Sequence, residues 1–201
     1  MVNRNRIIEG AAELFRIYGI KSVTMDSLAS HLGMSKRTIY EIFSDKDDLL
    51  IGVMKLMAEK QRELVKRVLN ESDNAIVAIF TLLEINNDHF QNMSPAFHAD
   101  IKRFHHEVLM KKTNRYEIPD FINNRLVIER GIKEKLFRKD INPDLVNRCL
   151  YSLGRSVMDH DLYPFELFSR KEVVRNIFIN YLRGIATPEG LDLISKLESE
   201  F

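Results

Sequence analysis

Apolar residues recur every three or four positions along most of the chain, which is the spacing of amphipathic α-helices. The first stripe runs from Asn3 to Tyr18, where Gly19 ends it. Alternation with a period of two, the mark of strands, is rare. The pattern therefore predicts an all-α protein of about nine or ten helices.

Two short helices separated by a tight turn are predicted between residues 24 and 43. Thr24 is suited to cap the first helix, and Gly33 to end it in a left-handed conformation. Ser35 can cap the second helix only two residues after Gly33. This spacing is typical of a helix-turn-helix. The second helix, Lys36 to Phe43, is then expected to enter a DNA major groove.

The second helix has one apolar side and one polar side. Ile39, Ile42 and Phe43 share the side expected to face the core, while Arg37 and Glu41 point the opposite way. Arginine can pair with a guanine edge, and hydroxyl side chains can contact phosphate. Glu41 is expected to approach a cytosine edge or to stay outside the groove. The candidate DNA-binding residues are Thr24, Ser35, Lys36, Arg37, Thr38, Tyr40 and Lys46.

Read from Phe15, the chain has FxxYG and then TMDSLASHLGMSKRTIYEIFSDKDDL. This order of residues resembles the DNA-binding region of the TetR family of bacterial transcriptional regulators. The matching positions are Phe15, Gly19, Thr24, Leu28, Ala29, Gly33, Ser35, Thr38, Tyr40, Phe43, Lys46 and Leu49. Arg37 departs from the family pattern, in which many members have a small residue, so we expect a contact particular to this protein there.

The resemblance implies an N-terminal three-helix bundle with the helix-turn-helix, followed by a C-terminal helical domain for ligand binding and dimerisation. We place the first domain at residues 1–46 and the second at residues 47–201. A long helix beginning at Lys46 and reaching about Leu69 follows with no linker, so it should couple the two domains mechanically.

Two late helices, with stripes that start near Leu145 and Val173, have apolar faces wider than one helix pair needs. We expect them to pack against a second copy, and the resemblance implies a four-helix dimer interface there. The predicted interface residues are Leu150, Leu153, Gly154, Val157, Val174, Ile177, Phe178 and Tyr181.

The middle of the chain, residues 50–140, is where the family builds its ligand cavity. No motif there matches residue by residue, but aromatic and polar side chains alternate as in small-molecule pockets. The candidate effector-binding residues are Phe80, Leu83, Asn87, Phe97, Phe104 and His105. Each is also compatible with an ordinary core position, and the effector is not identified by the sequence.

Composition and charge exclude some classes of protein for this chain. The net charge is +1, yet residues 1–40 contain six basic and three acidic residues, which puts the excess positive charge on the proposed DNA end. The single cysteine, Cys149, excludes an intramolecular disulfide and fits a reducing cytoplasm. Neither a signal peptide nor an apolar run long enough for a membrane helix is evident.

Catalytic motifs are not found. The sequence has no phosphate-binding glycine loop, dinucleotide fingerprint, HExxH, CxxC or GxSxG, so we expect neither an enzyme nor a bound cofactor. His98 and His105 are two helical turns apart, about 10 Å along the axis, which is too far for one metal ion unless another helix supplies ligands. The leading hypothesis is a dimeric, ligand-responsive repressor of a palindromic operator, without a membrane partner. The alternative is a dimeric helical interaction module that no longer reads DNA.

Overall fold

The computed structural model describes residues 2–91, 94–100, 125–157, 159, 161–164 and 166–200. Its described helices are α1 (Val2–Tyr18), α2 (Met25–Leu32), α3 (Lys36–Tyr40), α4 (Lys46–Glu71), α5 (Ala75–Gln91), α6 (Pro95–Asp100), α7 (Arg125–Lys133), α8 (Pro143–Val157), α9 (Arg170–Val173, Val174–Ile179 and Asn180–Ile185 in succession) and α10 (Pro188–Glu200). The middle segment of α9 is π-helical. The predicted all-α fold is confirmed.

The chain forms two compact units. One comprises residues 1–61 and the described part of 85–121, and the other comprises 62–84 and the described part of 122–201. The first turns of α4 belong to the first unit, because Leu49, Leu50 and Val53 are buried in its core. A domain division after residue 46 stays a prediction.

The first unit is built on a core that holds α3 in place. Ile39 and Phe43 are fully buried in the same apolar cluster as Phe15, Leu28 and Leu49. A helix of five residues is too short to be stable by its own hydrogen bonds, so this packing must hold it. The predicted inward side of the second helix is therefore confirmed for Ile39 and Phe43.

α3 is shorter than predicted, because it ends at Tyr40 rather than Phe43. The cause lies in the start of α4. The Asp45 carboxylate accepts a hydrogen bond from the Asp48 backbone N–H (2.7 Å), and the Asp48 carboxylate accepts one from the Ser44 backbone N–H (3.2 Å). Asp45 thus caps α4, which begins at Lys46, so the chain turns into a new helix within three residues of Phe43.

α6 packs closely against the turn that follows α1. Gly19 adopts φ +81°, and a Cβ built there would lie 2.8 Å from the Ala96 Cβ. The Ser94 backbone N–H donates to the Arg16 carbonyl (2.8 Å). Gly19 thus ends α1 and also permits the close approach of α6.

A buried carboxylate fastens the same junction. Asp100 is only 8% exposed, and its Oδ2 accepts a hydrogen bond from the Lys21 backbone N–H at 2.6 Å. Asp100 also interacts electrostatically with Lys46. One side chain at the end of α6 therefore fixes the turn between α1 and α2, although 79 residues separate the two hydrogen-bonded positions.

In the second unit, Arg130 binds the carboxyl end of α4. Its guanidinium donates to the carbonyls of Leu69, Ser72 (2.9 Å) and Asp73 (3.0 Å). Glu134 pairs with Arg130 at 2.6 Å and accepts a hydrogen bond from the Ala75 backbone N–H at 2.8 Å. These contacts satisfy carbonyls that a helix end leaves without intrahelical partners.

α8 and α9 pack against each other in the second unit. The buried side of α8 carries Val146, Leu150 and Val157, whereas Leu145 is 64% exposed. Leu145, at the start of the predicted stripe, therefore lies off the buried side, whereas Val146 and Leu150, one turn apart, lie on it.

We predict that Asp100→Ala lowers the free energy of unfolding by about 1–3 kcal/mol, because the Lys21 N–H loses a charged acceptor. Asp100→Asn keeps an acceptor oxygen and should lose less. Urea denaturation measures both, with Asp192→Ala at an exposed position of α10 as the control. Equal stability of Asp100→Ala and the control would contradict this prediction.

Candidate nucleic-acid interface

Reciprocal side-chain caps set the start of α2. The Thr24 hydroxyl accepts from the Ser27 backbone N–H (3.0 Å), and the Ser27 hydroxyl accepts from the Thr24 backbone N–H (2.9 Å). The predicted cap at Thr24 is confirmed. Thr24 is exposed, so DNA could reach its hydroxyl. A DNA contact of Thr24 stays a prediction.

The turn between α2 and α3 is made by Gly33. It adopts φ +61°, and the following Met34 N–H donates to the Ala29 carbonyl at 2.9 Å. Ser35 then caps α3, since its hydroxyl accepts from the Thr38 backbone N–H (3.1 Å) and lies 2.8 Å from the Thr38 hydroxyl. The predicted helix stop and cap are both confirmed, and together they form a helix-turn-helix.

The outer face of α3 presents the predicted DNA-reading side chains. The Arg37 side chain is 88% exposed and Tyr40 is 45% exposed. Lys36 lies in the first turn, where the recognition helix of a helix-turn-helix contacts bases. Thr38 is half-buried beside them. The structure therefore places five of the seven candidates on one short helix and its cap: Ser35, Lys36, Arg37, Thr38 and Tyr40.

Each basic residue of α3 is paired with an acidic one. Lys36 Nζ lies 2.8 Å from Asp26 Oδ2, and Arg37 Nε lies 3.0 Å from Glu41 Oε1. The hydrogen bond and charge of Asp26 raise the pKa of Lys36. Glu41 shares the exposed face as predicted, and its ion pair with Arg37 is a contact that was not predicted. The i,i+4 spacing of the two residues is the signal that indicates this pair.

Lys46 points inward rather than outward. Its ammonium donates to the carbonyls of Lys21 (3.4 Å) and Val23, and it lies 6.0 Å from the centre of the Phe15 ring. Burial lowers its pKa. In this arrangement Lys46 fastens the start of α4 to the connection before α2, and its predicted phosphate contact stays a prediction.

Two arginines of α1 also support the site. Arg6 Nη2 donates to the Leu32 carbonyl at 2.8 Å, at the end of α2, and Arg4 lies 5.2 Å from the centre of the Phe43 ring. These contacts hold the end of α2 and the segment that follows α3. The sequence shows only two basic residues near a helix start, so it could not have assigned these contacts.

Three of the six candidate effector-binding residues have side chains that the structure describes. Phe97 is buried in the core of the first unit, whereas Phe80 and Leu83 belong to the second unit. The side chain of Asn87, together with Phe104 and His105, lies outside the described residues. Effector binding by these six residues stays a prediction.

The first unit contains a cavity of about 260 Å³ bounded by α1, α4 and α6. Its wall is formed by Glu9, Ala12, Glu13, Arg16, Leu56, Met57, Lys60 and Phe97. Four of these side chains are charged and four are apolar, and one of the apolar ones is the candidate effector-binding residue Phe97.

The predicted dimer residues fall into two groups. Leu150, Val157, Val174 and Phe178 are buried within the single chain, where they hold α8 and α9 together. Leu153, Gly154, Ile177 and Tyr181 remain partly exposed. Partial burial and a hydrogen bond with Cys149 raise the pKa of Tyr181 to about 12. Of the predicted dimer residues, only the partly exposed group has accessible surface that a second copy could contact.

Within the described ranges, no three potential ligands come together in a way that could hold a metal ion. Of the histidine-rich stretch in the sequence, His105 and His106 lie outside those ranges, and Asp100 is committed to the Lys21 N–H. None of the described helices is long and apolar enough to cross a membrane.

The chain is similar to known bacterial regulators. Residues 7–53 match the model of the "Bacterial regulatory proteins, tetR family". The chain is 30% identical over 149 residues to YhgD of Bacillus subtilis (strain 168), an uncharacterised HTH-type transcriptional regulator. That match covers 69% of this chain and 73% of YhgD.

Two solved structures share the fold. The TetR-family protein CprB from Streptomyces coelicolor, in complex with its operator sequence, is 20% identical with a TM-score of 0.61, and the match covers 98% of this chain and 97% of CprB. RolR in complex with resorcinol is 18% identical with a TM-score of 0.65, and that match covers 96% of this chain and 91% of RolR.

A short exposed helix presented by a capped glycine turn defines a helix-turn-helix DNA-binding protein. The similarity to YhgD and the match over residues 7–53 go further: the chain belongs to the TetR family of bacterial regulatory proteins. It is a DNA-binding transcriptional regulator, and the prediction of a regulator rather than an enzyme is confirmed.

Proposed function

We propose that the protein is a ligand-responsive repressor that binds a near-palindromic operator as a homodimer. The observation that carries the proposal is the outer face of α3, where Lys36, Arg37 and Tyr40 are exposed on a helix fixed by its buried side. Since its target is DNA inside a bacterial cell, we propose that it acts in the cytoplasm.

In the proposed complex, the first turn of α3 enters the major groove. Arg37 reads a guanine edge, and the Tyr40 hydroxyl and Lys36 contact the DNA backbone or neighbouring bases. The Thr24, Ser35 and Thr38 hydroxyls lie at the caps of α2 and α3, where they can add hydrogen bonds to phosphate. Lys46 stabilises the fold of the first unit through its hydrogen bond to the Val23 carbonyl. It contacts a phosphate if DNA binding breaks this hydrogen bond.

Two copies are needed to read a palindrome. Two related recognition helices occupy successive major grooves on one side of the duplex when a dimer sets their spacing. The proposed dimer contacts are the partly exposed residues of α8 and α9, namely Leu153, Gly154, Ile177 and Tyr181. The four buried residues in the predicted set support this surface from within the protomer.

We propose that a small molecule regulates operator binding from the second of two domains, residues 47–201. RolR, which has the same fold, is known in complex with resorcinol, and this supports a small-molecule effector. An effector that prefers a conformer with the wrong recognition-helix spacing lowers operator affinity by population shift. Repression then ends when the effector accumulates.

We predict that Arg37→Ala weakens binding to an operator selected from random duplexes by about 5- to 150-fold, the range for losing one bidentate arginine–guanine contact. Band-shift titration at fixed salt measures the loss. The matched control is Arg67→Ala, which removes the same charge from an exposed position on α4.

Dimerisation and the melting temperature of Arg37→Ala should stay at wild-type values, because Arg37 is exposed. If the wild type selects no sequence, or if Arg37→Ala and Arg67→Ala bind alike, the chain does not read DNA as proposed. The alternative, a dimeric interaction module without DNA reading, would then be favoured.

We predict that Ile177→Glu converts the dimer to monomers and weakens operator binding at least about a hundredfold, because the two half-sites are no longer bound together. Sedimentation equilibrium measures the first effect and band shifts measure the second. Leu191→Glu, at an exposed apolar position of α10, is the control.

Circular dichroism should show that the Ile177→Glu protomer remains folded. A variant that stays dimeric over the same concentration range as the wild type would exclude this face of α9 as the interface.

A further inference from the structure

We propose that Glu41 is a specificity-determining residue: it orients Arg37 toward a guanine edge and cancels the attraction of Arg37 for phosphate. The inference rests on the proposed function, because it requires α3 to lie in the major groove. It assigns to Glu41, which does not itself need to touch DNA, control over which base Arg37 selects.

The geometry of the pair supports this assignment. Arg37 donates Nε–H to Glu41 Oε1 at 3.0 Å, across one turn of helix and cap. A guanidinium has five N–H groups in a fixed planar fork. With Nε engaged, the two terminal nitrogens remain available within the described part of the chain, and they match the spacing of guanine O6 and N7.

The pair also limits the freedom of Arg37. An arginine at 88% exposure has many rotamers, most of which direct its charge toward solvent or a nearby phosphate rather than a base. The Glu41 carboxylate, one turn later at the cap of α3, selects the Arg37 rotamers that place Nε beside it. Pre-orienting a long side chain reduces the entropy lost on binding, so Glu41 favours the guanine contact.

Charge balance gives a second, independent argument. From Thr24 to Glu41 the helix-turn-helix contains two basic residues, Lys36 and Arg37, and two acidic residues, Asp26 and Glu41. Each basic side chain is paired with one acidic side chain. Non-specific DNA binding depends on uncompensated positive charge near phosphates. The two carboxylates therefore suppress binding to random sequence.

The pair contributes little to the fold itself. Both side chains are largely exposed, at 88% and 60%, so water and salt screen their attraction in the free protein. Replacing Glu41 should leave the melting temperature unchanged. In the groove, where water is displaced, the same pair is less screened and its effect on DNA recognition becomes measurable.

The test compares the wild type with Glu41→Ala, which removes both the charge and the acceptor oxygen, in selection from randomised duplexes, followed by titration of the selected operator and of a scrambled duplex. We expect Glu41→Ala to bind the scrambled duplex several-fold more tightly, because its net charge is one unit more positive. Its preference for guanine over other bases at the Arg37 position should fall about fivefold or more.

Asp26→Asn is the matched control, because it removes the same charge from the other ion pair of the site. It should tighten binding to the scrambled duplex in the same way but keep the guanine preference, since Arg37 remains oriented by Glu41. This contrast separates the orienting effect of Glu41 from its charge.

An unchanged guanine preference in Glu41→Ala would overturn the inference while the proposed function stands. Equal loss of preference in Asp26→Asn and Glu41→Ala would also overturn it, because charge alone would then explain the effect. A wild-type protein that selects no sequence would overturn the proposed function, and this inference with it.

Discussion

The burial of Ile39 and Phe43 is the interaction on which the rest of the site depends. α3 has only five residues and cannot persist alone, so its position is set by side chains that reach the core shared with α1, α2 and α4. With that side held, the opposite side must face outward. The same burial that stabilises the first unit thus presents Lys36, Arg37 and Tyr40 to a partner.

Polar contacts also fix the connection between α1 and α2, which borders this core. The Lys21 N–H is held by Asp100 from α6, and the Lys21 and Val23 carbonyls are held by Lys46 from α4. The connection between α1 and α2 is thereby fixed from both sides. The position of α2 therefore depends on contacts from both α4 and α6.

Local sequence signals predicted the helix-turn-helix well. Thr24, Gly33 and Ser35 act within a few residues of their partners, so N-capping and left-handed glycine preferences identify them from sequence alone. Contacts between distant segments could not be predicted in this way. Examples are the hydrogen bonds of Lys46 to backbone carbonyls 23 and 25 residues earlier, and the burial of Phe97 in the core of the first unit. Apolar periodicity shows that a residue is buried, but it does not show which element buries it.

The proposed function requires the outer face of α3 to read base edges in the major groove. Guanine N7 methylation interference on the selected operator tests it most directly, because methylation blocks an arginine–guanine contact at one known atom. We expect two symmetry-related guanines, separated by about 10 base pairs or a multiple of this spacing, at which methylation blocks wild-type binding but not the residual binding of Arg37→Ala. Methylation that has no effect in either half-site, or that affects both proteins equally, would contradict the account.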